Sequence, residues 1–252
     1  MNDNVATAPV CDLRQHTPEQ VSFETRILQA YTEDNTFVRL YNEGMEKSGM
    51  AWTDNFPKRC RFYSLQQVVN TVIRNQDLNG DFAECGCWKG HSTYIISKLL
   101  QPNRTTQLFH VFDSFEGGLS DKTAPDITEQ SRLTEEATRQ EKLHFASTED
   151  ELRNAIGEFE FVRVYKGWIP ERFHEIEDRH FSFVHIDVDL YQPSLDSLEF
   201  FFSRLDHGGA SVVDDYGYTN FPGAKKAVDE FLNKNSVQFF YEMPLGGCFL
   251  IK

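Results

Sequence analysis

Two short apolar runs that each end abruptly in acidic residues constrain the fold of this chain more than any other feature. Residues 183–191 read FVHIDVDLY, and residues 211–216 read SVVDDY. Continuous apolar runs are typical of parallel strands buried on both faces, and the carboxyl ends of such strands open onto ligand sites in α/β proteins. The sequence therefore predicts that four carboxylates meet at one edge of a parallel sheet, those of Asp187, Asp189, Asp214 and Asp215.

These four acids would repel one another unless a cation holds them together. Asp187 and Asp189 point to the same side while the chain stays extended, and Asp214 and Asp215 follow what we expect to be the neighbouring strand. Oxygen ligands without cysteine suit a hard divalent ion, first Mg²⁺ and then Mn²⁺ or Ca²⁺. Alternatively, the acids only cap the helices after each strand, because Asp is a favoured N-cap. Capping leaves the second acid of each pair unexplained, which favours a metal.

The composition points to a small-molecule substrate. Of the 252 residues 40% are apolar, enough to bury a sizeable core in one main domain with an N-terminal addition. The net charge of −14 argues against nucleic acid and anionic membranes as partners, because phosphate groups bind to basic faces. Whether the protein forms a homo-oligomer stays open at this point. An odd number of cysteines, the lack of a signal-peptide pattern and the lack of a long apolar run predict a cytoplasmic protein with free thiols.

The first part of the chain, residues 1–79, is expected to form an N-terminal tail and a helical cap. Residues 1–17 have no apolar period and are expected to be the tail. Between residues 18 and 47, apolar residues recur at steps of three and four, which predicts two amphipathic helices. A loop is predicted over 49–61 and a helix over 64–75.

From residue 80 to residue 252, strand patterns alternate with helix patterns. Such alternation predicts an α/β fold with a mostly parallel sheet and helices on both faces, and the turn at 243–247 predicts a closing hairpin with one antiparallel strand. Seven strands are predicted, over residues 81–85, 108–112, 161–165, 181–186, 210–213, 237–241 and 248–251.

The polar segment 121–140 interrupts this pattern. We interpret it as an insertion with some helix, either a solvated surface or a mobile flap over the site. Just after it, Thr148 and Glu151 have the spacing of a capping box, which predicts a helix that runs to Ile156.

A glycine turn between the first strand and the first helix of the main domain is a predicted cofactor site. It contains Glu84, Gly86, Trp88 and Gly90, and Asp113 ends the second strand, where a carboxylate can bind both ribose hydroxyls of a nucleotide. The bulky Trp88 would crowd a pyrophosphate and the acidic Glu84 would repel one. A cationic ligand without phosphates fits better, and S-adenosylmethionine is the common cofactor of that kind. The alternative is a strand–helix corner without a ligand.

Five motifs in this order carry a family resemblance. They read ECGCWKG at 84–90, VFDSFEG at 111–117, GWIP at 167–170, IDVDLY at 186–191 and VDDY at 213–216. In this series the chain resembles the macrocin-type (TylF) sugar O-methyltransferases over residues 80–252.

The resemblance implies a class I methyltransferase fold with a Rossmann-like seven-stranded sheet, S-adenosylmethionine as cofactor, and Mg²⁺ that holds two vicinal sugar hydroxyls. By position, Asp187, Asp214 and Asp215 would bind the metal and Asp189 would be the general base. His91, at the start of the helix after the glycine turn, either helps to orient the cofactor or, as is usual for a histidine that starts a helix, has no functional role. The positions implied to contact the cofactor are Glu84, Gly86, Trp88, Gly90, His91, Ser92, Asp113, Ser114, Phe115, Ser147, Gly167, Trp168 and Asp187.

Other functions stay open at this point. Asp187-Val-Asp189 also fits the Asp-x-Asp motif of metal-dependent glycosyltransferases, which bind nucleotide sugars, although that leaves Asp214, Asp215 and Glu84 without a task. A nicotinamide oxidoreductase is a second alternative, but it leaves the cluster of acids unexplained. A third alternative is a non-catalytic binding protein that retains the fold. Acceptor choice is expected to depend on residues before 80 and on 116–140. The aromatic residues offered for packing against an acceptor are Tyr31, Tyr41, Trp52, Phe56 and Tyr63.

Overall fold

A seven-stranded sheet organises the part of the chain that the structure describes, as the sequence predicts. The computed structural model describes residues 35–103, 106–129 and 132–252. In chain order the strands are β1 (Asp81–Cys85), β2 (Phe109–Asp113), β3 (Val162–Lys166), β4 (Phe181–Ile186), β5 (Leu205–Val213), β6 (Phe239–Glu242) and β7 (Cys248–Ile251). They lie side by side in the order β3-β2-β1-β4-β5-β7-β6.

The strand directions confirm a mostly parallel sheet with one antiparallel strand. β1 pairs in parallel with β2 and β4, and the parallel pairing continues from β2 to β3 and from β4 to β5. β7 runs antiparallel to both of its neighbours, β5 and β6. The strand order reverses between β1 and β4, and the crevice at the carboxyl ends of two such strands is where open α/β sheets bind ligands.

β5 is longer than predicted. It begins at Leu205, whereas the apolar run begins at residue 210. The preceding residues Asp206, His207 and the glycine pair do not have the composition of a buried strand. They nevertheless continue the ladder, because Leu205 pairs with Phe181 of β4 on the far side of a register shift.

The helices lie between the strands as predicted from residue 80 onward. In chain order they are α1 (Asn35–Lys47), α2 (Phe56–Arg74), α3 (His91–Leu100), α4 (Glu135–His144), α5 (Glu149–Ile156), α6 (Tyr191–Arg204) and α7 (Pro222–Lys234), with 3₁₀ turns at Ala51–Thr53, Ala124–Asp126 and Phe173–Ile176. None of the helices in the described part of the chain is long and apolar enough to cross a membrane. The predicted helix and tail before residue 35 lie outside the described residues.

The start of α2 corrects the predicted loop over 49–61. The helix begins at Phe56, and the side chain of Asn55 caps it by accepting a hydrogen bond of 2.9 Å from the Lys58 amide. Pro57 lies in the first turn, where its missing N–H has no intrahelical partner in any case. Residues that suggested a loop are therefore a helix start, and this helix carries two basic side chains to the site described below.

Two apolar layers cover the two faces of the sheet. α1, α2, α3 and α5 share one cluster that includes Tyr41, Val69 and Tyr94 together with Phe82 of β1. α6, α7 and the turn Phe173–Ile176 cover the other face. Although α1 and α2 share this core with the sheet, the boundary near residue 80 between a helical cap and a main domain stays a prediction.

The segment 121–140 contains the predicted partial helix, since a 3₁₀ turn lies near its start and α4 begins within it. The carboxylate of Asp126 is buried and accepts hydrogen bonds from the Thr123 amide at 2.8 Å and from the Tyr191 amide at 2.7 Å. Asp126 thereby caps α6 from outside that helix, since Leu190 at the N-cap gives no side-chain cap. The capping box of Thr148 and Glu151 at the start of α5 is confirmed.

Candidate active site

The fold brings three of the four predicted acids together. Asp187 follows β4 and Asp214 and Asp215 follow β5, so adjacent strands place them at the same edge. One carboxylate oxygen from each lies within 4.8 Å of the others. Burial, and then the charges of Asp214 and Asp215, raise the pKa of Asp187 well above its usual range. Burial, followed by the charges of Asp189 and Asp214, does the same for the pKa of Asp215. Repulsion of this kind fits a site that takes up a cation.

Asp189 lies beside this group but not in it. Strand β4 ends at Ile186, and Asp189 has a φ of +59°, so the extended geometry that would align it with Asp187 is absent. The Asp189 amide instead donates a hydrogen bond of 3.0 Å to Oδ2 of Asp215. Its side chain is buried, and burial followed by the charge of Asp187 raises its pKa well above the usual range. Asp189 is thus a separate carboxylate on the same cavity.

Two basic residues from α2 approach the acids, and the sequence interpretation missed both. Nε of Arg61 lies 3.1 Å from Oδ2 of Asp214, and the guanidinium also donates to the hydroxyl of Tyr218 and lies over its ring. Lys58 is buried and donates a hydrogen bond of 2.6 Å to the Thr53 hydroxyl. Burial, followed by the charge of Arg61, lowers the pKa of Lys58 to about 8. Recognition of Asn55 and Pro57 as a helix start would have placed both basic side chains on one helix.

The glycine turn is held in shape from two sides. Gly86 has a φ of +78°, and a Cβ at this position would clash with the carbonyl oxygen of Asp187. Oδ2 of Asp113 accepts hydrogen bonds from the amides of Cys87 at 2.9 Å and Trp88 at 3.0 Å, and Oδ1 accepts one from the Phe115 amide at 3.2 Å. Asp113 therefore fixes the turn, and because Oδ2 also accepts from the Cys87 thiol, the lone-pair capacity that is left lies on Oδ1.

A cavity of about 260 Å³ opens above the turn. The predicted residues that line it are Gly86, Trp88, Asp113, Ser114, Gly167, Trp168, Asp187 and Asp189. The structure adds residues that sequence reasoning missed, namely Phe112, Gly118, Leu119, Ser120, Phe145, Ile169, Val188, Gln192 and Pro193. Sequence motifs point to only some of these, because Phe112, Ile169 and Val188 lie inside the quoted motifs whereas Phe145 lies after a polar insertion.

Other predicted cofactor residues lie away from the cavity lining. Glu84 is fully buried, accepts a hydrogen bond from the Thr93 hydroxyl and pairs with Nδ1 of His185 at 2.9 Å. Glu84 therefore supports the glycine turn from the side of the core. This position corrects its assignment as a direct cofactor contact. His185 is a buried core histidine. The remaining residues outside the lining are Gly90, His91, Ser92, Phe115 and Ser147.

His91 has a structural role in this arrangement. Its ring stacks on Phe62 with centroids 4.3 Å apart, and Nε2 lies 3.0 Å from the carbonyl oxygen of Tyr41. Burial, and then the charge of Lys58, hold the pKa of His91 well below its usual range. His91 therefore joins α3 to α1 and α2 and does not face the cavity, contrary to the interpretation that it orients a cofactor. Gly90, the preceding residue, is the N-cap of α3 with a φ of +89°.

Aromatic rings surround the mouth of the cavity. The ring centroids of Trp52 and Trp88 are 6.0 Å apart, and His144 lies 5.4 Å from Trp52 and 5.5 Å from Trp88. Phe145 continues the series to Phe221 at 5.9 Å. Of the predicted acceptor aromatics, Trp52 is 62% exposed at this mouth, whereas Tyr41 and Phe56 are buried in the core. Tyr63 lines a different groove, and Tyr31 lies outside the described residues.

Comparison with known proteins supports the resemblance found in the sequence. The family model described as macrocin-O-methyltransferase (TylF) matches residues 9–242. The demethyldecarbamoylnovobiocin O-methyltransferase of Streptomyces niveus is 27% identical over 207 residues, which cover 77% of this chain and 74% of that protein. A Streptomyces olivaceus enzyme, 8-demethyl-8-(2,3-dimethoxy-alpha-L-rhamnosyl)-tetracenomycin-C 4'-O-methyltransferase, is 28% identical over 62% of this chain and 60% of its own.

Comparison of the fold with solved structures also finds an O-methyltransferase. The solved structure of the O-methyltransferase NovP superposes with a TM-score of 0.66 at 21% identity, and the match covers 86% of this chain and 99% of that one. The expected class I methyltransferase fold is thus confirmed.

Proposed function

Because the chain belongs to the macrocin-O-methyltransferase (TylF) family, we propose that it transfers a methyl group from S-adenosylmethionine to a sugar hydroxyl and that a divalent metal assists. The observation that carries the proposal is the position of Asp187. This residue belongs to the group of three carboxylates and also lines the cavity above the glycine turn. A cation held by the carboxylates would therefore lie beside a methyl donor in the cavity.

The cavity has features that suit S-adenosylmethionine, which supplies an electrophilic methyl group when bound. Gly86 keeps the turn free of a side chain where backbone must pass, and the rings of Phe112, Trp88 and Trp168 offer apolar walls. The lone pair of Asp113 Oδ1 that the Phe115 amide leaves free can accept a hydrogen bond from a ribose hydroxyl. The carboxylates of Asp187 and Asp189 attract the cationic groups of the donor. Asp113 would bind the methyl donor and orient it, and Trp88 would exclude water from the cavity.

The three carboxylates suit a hard divalent ion such as Mg²⁺ or Mn²⁺. All three donors are oxygens, with no cysteine or histidine among them, and burial followed by repulsion from neighbouring carboxylates raises the pKa of Asp187 and of Asp215. When bound, the ion would act as a Lewis acid that lowers the pKa of an acceptor hydroxyl. Asp187, Asp214 and Asp215 would be its protein ligands.

Asp189 is the residue that we assign as general base. Its raised pKa makes the carboxylate a stronger base than that of an ordinary aspartate. General-base catalysis is most effective when the pKa of the base lies near the working pH. Its amide donates a hydrogen bond to Asp215, which holds the backbone of Asp189 beside the metal ligands. Asp189 would take the acceptor proton at its carboxylate while the cavity walls align the donor with the hydroxyl in a straight line.

Calorimetry separates this proposal from the alternatives. The purified protein would be titrated with S-adenosylhomocysteine, a nucleotide sugar and NAD, each with and without Mg²⁺. We expect binding of S-adenosylhomocysteine alone, with weaker binding in Asp113→Ala and unchanged binding in Asp178→Ala, where the same change is made at an exposed position. Preference for the nucleotide sugar would instead support the glycosyltransferase, and preference for NAD the oxidoreductase.

The metal has a separate test. Manganese binding, followed by electron paramagnetic resonance on metal-free protein, is expected in the parent and is expected to weaken in Asp187→Asn, Asp214→Asn and Asp215→Asn. Parent protein that binds no manganese, or that methylates an acceptor at full rate in excess chelator, would refute the metal and leave the methyl donor untouched.

A further inference from the structure

A groove beside α2 exposes aromatic rings of the last two strands. Its volume is about 340 Å³, and residues of α2, β5, β6 and β7 line it. The rings of Tyr241 and Phe249 lie in the lining with centroids 5.6 Å apart, and Phe239 stacks on Tyr241 at 6.4 Å beside the groove. Tyr241 is 45% exposed and Phe239 is 50% exposed among the described residues. Adjoining exposed rings of this kind indicate a surface that another element covers.

The groove wall on α2 extends from Tyr63 to Asn75 and is neutral. Among the described residues that line the groove, none carries a charge. Ser64, Gln67 and Thr71 recur on this wall at steps of three and four, so their polar side chains lie along one face of the helix. The rest of the lining is mostly apolar or aromatic. An apolar floor with a neutral polar margin suits the apolar face of a helix better than an ionic ligand.

The described part of the chain begins next to this groove. Helix α1 begins at Asn35, and Phe37 in its first turn packs edge to face on Tyr63, with ring centroids 5.2 Å apart. Tyr63 is also the first residue of the groove wall on α2. Three extended residues span about 10 Å, so residues 32–34 are long enough to connect the start of α1 to this end of the groove.

Residues 18–31 have the length and the apolar spacing to fill the groove. Val21 and Leu28 are seven positions apart, and Ile27 and Tyr31 are four apart, a spacing that predicts an amphipathic helix. At about 1.5 Å per residue, a helix over this segment would be about 20 Å long, and the groove wall on α2 is about 18 Å long. The segment itself lies outside the described residues.

We infer that residues 18–31 of the same chain dock in this groove, antiparallel to α2, and cover Tyr241 and Phe249. A second copy of the chain is the other candidate occupant. A symmetric contact centred on the groove would place two concave faces against each other and leave a void between them, which favours the segment. The docked segment braces α2, the helix that carries Arg61 to Asp214.

Hydroxyl-radical footprinting of the full-length protein tests this inference. Mass spectrometry measures the oxidation rates of Tyr241 and Phe249 in the parent, in Leu28→Asp and in Gln29→Asp, which places the same charge at the next position, outside the apolar spacing. We expect Leu28→Asp to raise the oxidation rate of Tyr241 by about threefold or more, because this ring is 45% exposed when only the described residues surround it. Gln29→Asp should keep the parent rate. Trp52, which is 62% exposed at the cavity mouth, should oxidise equally in all three proteins.

The same measurement identifies a different occupant. Equal oxidation of Tyr241 in the parent and in Leu28→Asp, or an equal rise in Gln29→Asp, would overturn the inference. Footprinting of the parent at an about fiftyfold lower protein concentration separates the segment from a second copy, because only contact between copies depends on concentration. Protection of Tyr241 that persists on dilution is expected, and protection that is lost would assign the groove to a second copy. Leu28→Ala, a milder change that is expected to act in the same direction, decides the test if Leu28→Asp does not unfold cooperatively.

Discussion

Replacing Arg61 with methionine should destabilise the metal-free protein and make its stability depend on Mg²⁺. The side chain of Arg61 is 15% exposed and contacts Asp214 at 3.1 Å. Breaking a buried ion pair by removing one partner costs about 3–5 kcal/mol, because the other charge stays behind without compensation. We take the lower end, about 3 kcal/mol, since the guanidinium keeps some contact with water. For a domain of this size each kcal/mol shifts Tm by about 2–4 °C, so a fall of roughly 6–12 °C is expected.

The same substitution should increase the stabilisation by Mg²⁺. Without Arg61, the protein supplies less positive charge against the repulsion among Asp187, Asp214 and Asp215, so the ion stabilises the folded variant more than the folded parent. Thermal unfolding in chelator and in excess Mg²⁺ measures both effects. Arg74→Met, at an exposed position of the same helix, should change Tm little in either condition. An unchanged Tm in chelator, or an equal Mg²⁺ shift in parent and variant, would contradict the role of Arg61 as a counter-charge.

Three further predictions follow from individual contacts. Asp113→Ala removes the acceptor of two turn amides as well as the predicted ribose contact, and should weaken S-adenosylhomocysteine binding by about 1–3 kcal/mol, measured by calorimetry; unchanged affinity would rule out the assignment. Asp189→Asn should lower turnover by roughly 10²–10⁴-fold with an unchanged metal requirement, whereas Asp187→Asn should raise the metal concentration for half activity; a metal defect in Asp189→Asn would exchange the two roles. Because the pKa of His91 is lowered in the folded protein, this side chain stays neutral there and takes up a proton on unfolding below about pH 6.5. The free energy of unfolding should therefore fall as pH decreases, and His91 should contribute up to about 1.4 kcal/mol per pH unit to this fall. His91→Phe, which can keep the stack on Phe62, should lose that contribution, and a parent–variant difference in unfolding free energy that stays constant from pH 8 to pH 5 would refute it.

The sequence determined the acid cluster well because strand ends impose its geometry. Asp187, Asp214 and Asp215 each follow an apolar run, and parallel neighbours bring such positions to the same edge of a sheet. The role of Glu84 was wrong for a local reason. A motif gives the spacing of residues along a turn but not the side on which each side chain lies, and Glu84 points into the core towards His185.

Residues that reach the site from elsewhere could not be predicted in this way. Arg61 and Lys58 depend on where α2 begins, which the loop-like residues before it concealed. Asp126 lies 65 residues before the amide of Tyr191 that it caps, and no local pattern connects them. The exposed rings of Trp52 and His144 become neighbours only because two turns and a helix end meet above β1. Non-local contacts of this kind are set by packing, for which periodicity has no signal.

The acid cluster is bracketed by basic groups that the fold supplies. Arg61 contacts Asp214 from α2, while His185 lies in β4, two residues before Asp187 and paired with Glu84. Burial alone would lower the pKa of His185, but the hydrogen bond to Glu84, then its charge and those of Asp187 and Asp214, raise it above the usual value. The contact with Arg61 holds Asp214 in position, and the charge of a protonated His185 attracts Asp187 and Asp214, so that protein groups as well as any ion stabilise the cluster. Removal of metal with chelator should therefore abolish turnover while the folded state persists, which unfolding curves of the treated protein would show. A loss of cooperative unfolding in chelator would mean that the ion, and not Arg61 and His185, holds the strand ends together.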